Sequence, residues 1–189
     1  MKFTHILPVA ILSVAMLTGC ATTGSTSNDN SGSTSQATLG GSQLNTAYAL
    51  YLEQVKDQKR IDQIFITKSG SPDLRAITKD ISTFSKAELE TLKSYEKSGI
   101  RMNRTGLPTA EVQTRQTIEG IKTSQLLGSS GNTFRSRLLA TEVEAVMYAQ
   151  AIAKVIADAE KDPERKQHLA QSSRKWEEFG ARLDALLSR

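Results

Sequence analysis

Two glutamates fall where carboxylates seldom go. Glu88 stands one turn from Phe84 and Leu92 and two turns from Ile81 and Tyr95; Glu142 stands among Leu138, Leu139, Ala145, Val146 and Ala149. On a helix these spacings put each acid on the apolar face. Helical bundles that hold a pair of metal ions do so with one inward Glu from each of two helices and a Glu-x-x-His from each of the other two. Here the three-residue step reaches Thr91 from Glu88 and Ala145 from Glu142, so neither acid brings a histidine. Glu88 and Glu142 are therefore the candidate metal ligands, with no catalytic or cofactor-binding set beside them. The competing expectation carries more weight: an unpaired buried carboxylate neutralises or finds a partner. Arg, Lys, Tyr or Ser would supply that partner, in a polar core layer that fixes helix register. Gln58 and Asp62 fall on the inner side of the first predicted helix, and Tyr48, Tyr51, Trp176 and Phe179 read as core.

The amino terminus explains the one cysteine. Ile6 to Leu17 form an apolar run of about a dozen residues after Lys2. That is short of the roughly 20 needed to span a bilayer and has the length of a secretory h-region. The run ends in Leu17-Thr18-Gly19-Cys20, which resembles the bacterial lipobox. The resemblance implies a signal peptide over 1–19, cleavage before Cys20 and lipid on its thiol. Ala21 follows the cysteine, where an aspartate often marks inner-membrane retention, so the resemblance favours the outer membrane, facing the periplasm. Residues 21–43 are almost wholly Ser, Thr, Gly, Asn, Gln and Ala, with Asp29 the only charge. Such a tract cannot bury enough apolar surface to order itself, and it reads as a tether over 20–43 with a reach of roughly 25 Å.

Composition then removes whole classes of function. The formal charge of +4 falls to about +3 once Lys2 is cleaved away. The pairs Lys59-Arg60, Arg165-Lys166 and Arg174-Lys175 are interleaved with acids, which is not the basic stripe of a nucleic-acid binder. With Cys20 lipidated, no thiol remains for a disulfide, a nucleophile or a metal. His168 is the only histidine after residue 5, too few for a His-rich zinc site. A Ser-His-Asp triad would have to use it, and beside Gln167 it reads as a surface histidine. No Walker A or dinucleotide-binding glycine motif occurs.

From Leu44 onward the apolar spacing is helical. The pattern predicts helices over about 44–68, 72–98, 109–127, 133–160 and 163–188. Ser71-Pro72-Asp73 and Asp162-Pro163-Glu164 share one corner grammar, a capping side chain followed by proline at the first helical position and an acid in the first turn. The expected domain, 44–189, is all-α: an antiparallel four-helix bundle, ferritin-like, of two helical hairpins joined by a long crossover containing a shorter helix.

This layout resembles a group of bacterial ferritin-like exported proteins, a predicted outer-membrane family of unknown function. The marks are Ser71-Pro72-Asp73-Leu74, Leu107-Pro108, Ser130-Gly131 with Phe134, and Asp162-Pro163, and the similarity covers about 55–188. The histidine positions of that family fall here on Ser85, Val146 and Phe179, so histidine-dependent chemistry does not carry over. The expectation is a non-enzymatic envelope lipoprotein, anchored in the membrane through Cys20 and docking on an envelope protein through an exposed apolar groove where the 109–127 helix crosses. No cofactor and no nucleic acid is expected. The alternative is a metal-binding or oxidoreductase bundle using Glu88 and Glu142.

Overall fold

The computed structural model describes residues 39–102 and 107–189. The expected signal peptide 1–19, Cys20 and the tract as far as residue 38 lie outside the described residues. Within them the protein is all-α, without strands, as five α-helices packed together: α1 Gly41–Gln58, α2 Pro72–Lys97, α3 Thr109–Leu127, α4 Gly131–Ala159 and α5 Pro163–Leu187. A short 3-10 helix, Ile61–Ile66, separates α1 from α2.

The helix starts follow from local chemistry. Ser71 Oγ accepts from the Leu74 N–H, and Asp162 accepts from the Arg165 N–H at 3.0 Å, with Pro72 and Pro163 at the first helical positions. Each cap satisfies one of the amide donors that a helix start leaves unpaired. The first helix opens at Gly41, three residues earlier than the apolar pattern indicates, because the Gln43 side chain folds back to accept from the Gly40 N–H at 2.9 Å.

The first helix also ends sooner than expected. No Gly or Pro marks the break; instead Ser82 Oγ on α2 donates to the Lys59 carbonyl at 2.6 Å, and Arg60 leaves helical geometry. The tighter turn changes which residues face inward. Ile61 and Ile64 are buried, whereas Ile66 is 81% exposed. Gly70 closes this corner: a Cβ there would sit 2.2 Å from the Phe65 ring, so no other residue fits without moving it.

α4 and α5 pair along their lengths across the Asp162 corner. They run antiparallel, with Ser173 donating to the Gln150 carbonyl near one end and Arg135 to that of Leu186 near the other. α1 packs on α2 and α4, α2 on α5, and α3 on α4. Leu138, Leu139, Val146, Ile81, Leu92 and Trp176 are fully buried between them, and Phe84, Trp176 and Phe179 meet edge to face at 5.0–5.9 Å. α3 is different: Leu126 is its one buried residue, and Ile121 is 52% exposed. The fold should therefore tolerate Ile121→Ala within about 0.5 kcal/mol, whereas Leu139→Ala should cost about 2–5 kcal/mol. Urea unfolding followed by circular dichroism measures both; equal losses would place α3 in the core.

Candidate functional site

Glu88 is the centre of a buried polar cluster joining three helices. Its Oε1 accepts from Tyr51 Oη on α1 at 2.8 Å and from Ser172 Oγ on α5 at 2.9 Å, and its Oε2 lies 3.0 Å from His168 Nε2. Trp176 Nε1 donates to Tyr51 Oη at 3.0 Å, fixing the phenol from behind. Burial and then the Glu88 charge push the Tyr51 hydroxyl well above its ordinary pKa, so it remains a donor. His168 is thus no solvated surface group: its ring packs edge-on against Tyr95, and its Nδ1 is buried without a hydrogen bond.

A second cluster closes the α4–α5 corner. Tyr48 Oη donates to Glu160 Oε2 at 2.6 Å, Arg165 grips both carboxylate oxygens at 3.1 Å, and the backbone N–H groups of Lys161 and Asp162 reach Oε1. Burial raises the Glu160 pKa, but the bonds from Arg165, Tyr48 and the Asp162 amide outweigh it and hold the group at about 2.

Glu142 has no such company. It is fully buried, neither oxygen is hydrogen-bonded, and burial pushes its pKa up to about 8 against a weaker opposite pull from the Gln58 side chain. Burial therefore favours the protonated acid near neutral pH. The two glutamates do not share a site, since their α1 neighbours, Tyr51 and Gln58, stand seven residues or about 10 Å apart along the helix. Among the described residues no three of His, Cys, Asp and Glu come together to hold a metal ion. Asp62 lies in the 3-10 helix, facing Lys86 at 3.8 Å rather than either glutamate.

The Ser172–His168–Glu88 contacts carry the residue types of a hydrolytic triad in the wrong order. Ser172 donates to Glu88, and the serine and the carboxylate both face Nε2, with Ser172 Oγ 3.5 Å from it. A triad needs the serine and the acid on opposite ring nitrogens. The spacing of His168, Ser172 and Trp176, one turn apart on a single face of α5, was the legible sign of this cluster. Glu160 had none, because its key partner Tyr48 lies 112 residues away. Ser85, Val146 and Phe179, the positions matched to the histidines of the resembling family, are all core residues here.

The open feature is elsewhere. A cleft of about 760 Å³ lies between the first half of α1 and the second half of α4, lined by Leu39, Ala47, Leu50, Ala151, Ile152 and Val155. Tyr148 forms one end, where Arg115 of α3 stands 5.9 Å from its ring centre, so the cleft begins beside the first turns of α3. Arg101, from the α2–α3 connection, stands at its rim. No helix among the described residues is long and apolar enough to cross a membrane. No protein-family model, curated protein or solved structure matches the chain.

The buried acids make stability depend on pH in two directions. Glu142 ionises near 4.5 when unfolded but only near 8 when folded, so the unfolded state holds fewer protons in that window and stability falls as pH rises through it. Asp57 acts in the same sense up to about 7, pushed there by burial and by the charges of Glu119 and Glu53. Glu160 acts oppositely: its stabilisation is present above 4.5 and lost as pH falls towards about 2. Glu142→Gln should remove much of the decline above pH 4.5, stabilising the protein by roughly 3 kcal/mol at pH 7 and by little at pH 4.5. Thermal melts across this range test it; an unchanged slope would mean that the folded protein holds Glu142 ionised.

Proposed function

We propose that the protein is a lipid-anchored, non-enzymatic interaction module of the bacterial envelope. Cys20 carries the anchor, the Ser/Thr/Gly-rich tract tethers the domain on the periplasmic side of the outer membrane, and the domain docks on an envelope component through the α1–α4 cleft. In this reading the five helices are a ferritin-like four-helix bundle of two hairpins, α1–α2 and α4–α5, with α3 as the crossover helix laid along α4. The neighbour pattern, in which α1 meets α2 and α4 while α5 meets α2 and α4, supports that arrangement.

One observation carries the functional reading: the chemistry and the cavity do not coincide. The carboxylates with shifted pKa values, Asp57, Glu90, Glu142 and Glu160, are absent from the cleft lining among the described residues. An active site places perturbed titratable groups in the pocket where substrate sits. Here an apolar cleft is open to solvent while Glu142 and Glu160 are buried away from it, which suits binding. A photo-cross-linker at Ala151 should capture the component in living cells, and Val155→Glu should abolish capture with the helical circular dichroism intact; unchanged capture would remove the cleft from the docking surface. Cys20→Ser should end palmitate incorporation, and retention of the label would overturn the anchor.

A further inference from the structure

We infer that the α1–α4 cleft binds a free long-chain fatty acid, with its acyl chain along the cleft and its carboxylate at Arg101; this rests on the docking reading above and names the component. Three observations converge on that occupant. The first is size. The cleft spans residues 42–50 of α1 and 148–155 of α4, about two helical turns or roughly 10–12 Å of each. A stable protein interface buries about 1,200–2,000 Å² with some 20–30 residues on each side, whereas the described lining of this cleft is a dozen residues. Its volume of about 760 Å³ lies instead within the roughly 300–1,000 Å³ of small-molecule pockets.

The second is the lining. Ala47 and Leu50 form one wall, Ala151, Ile152 and Val155 the other. Small residues at 47 and 151 leave room between the helices, and Val155 remains 47% exposed. Such a trough is suited to a narrow, flexible hydrocarbon.

The third is charge. Among the described lining residues Arg101 is the only charged one, so the rim complements a single anionic head, and the planar guanidinium matches the two oxygens of a carboxylate. The polar residues on the α1 wall add neutral donors: Gln43 uses its Oε1 on the Gly40 N–H, which leaves its amide NH₂ to donate.

The test uses the full chain carrying Cys20→Ser, so that no attached lipid competes, and cis-parinaric acid, a fatty acid whose fluorescence rises in an apolar site. Saturable binding at one site per chain is expected. Displacement by saturated fatty acids from six to nine carbons should tighten about two- to fourfold per added methylene, depending on how fully each is buried, and longer chains, which overrun the cleft, should add little more. Arg101→Gln should weaken the carboxylate about fivefold, the scale of an exposed ion pair, and leave the matching long-chain alcohol unchanged. Ala151→Trp, which fills the cleft, and Val155→Glu should each abolish binding while the helical circular dichroism is retained. Absence of saturable binding, or binding indifferent to both cleft variants, overturns the proposal. If fatty acid fails to bind but the Ala151 cross-linker still captures a protein in a Val155-dependent way, the ligand is wrong and the docking reading stands. If both fail, both are overturned.

Discussion

Glu88 brings a carboxylate into the interior of the domain, and its neighbours are arranged so that both oxygens are satisfied. Tyr51, His168 and Ser172 come from two other helices, and Trp176 holds the tyrosine that donates to it. Removing any one of them would leave a buried polar group short of a bond, at about 1–3 kcal/mol. The geometry is demanding because one residue of rotation on a helix moves a side chain by about 100°. α1, α2 and α5 can meet in few other registers without stranding the charge. An apolar residue at 88 would pack as strongly, so what the acid contributes is a single arrangement. Tyr95 extends that order to the corner cluster, its ring edge-on to both His168 and Tyr48.

Glu142 shows what the same residue type does without such neighbours. Only the Gln58 side chain pulls towards the ionised form, too weakly to offset burial, and the protonated form is favoured. Gln58 Oε1 and Ser85 Oγ are likewise buried without partners, so this part of the interior holds polar atoms that are enclosed but not joined into a network. A buried group of this kind can be kept only where surrounding packing is strong, and Leu138, Leu139, Val146 and Phe179 provide it. The domain thus contains one acid that orders it and another whose cost grows with pH.

Much of this was legible in the sequence, and the boundary has a physical logic. The all-α class, the two proline corners and the burial of Glu88 and Glu142 follow from spacing and capping, which act within a few residues. The break after Gln58 was not legible, because its cause is a hydroxyl on another helix. His168 was misplaced on the surface since its neighbours in sequence are polar; its neighbours in space are Glu88 and Tyr95. The distinction between the two glutamates was equally hidden: each sits in a similar apolar stripe, and only the facing helices decide which one finds donors.

The position of α3 completes the argument from structure to function. It is held to α4 mainly by polar contacts, Lys122 with Glu144 and Arg115 beside Tyr148, and it buries little of itself. A helix attached in this way covers part of α4 without being needed by the core. Beyond its first turns the cleft between α1 and α4 stays open, with Ala151 and Val155 exposed on the α4 wall. Exposing them loses part of the stabilisation that full burial would give, and an occupied cleft would recover it. Arg101 stands early in the connection that leads from α2 to α3, so this connection sets the charge at the rim. On the proposed reading, that charge selects which ligand fills the cleft.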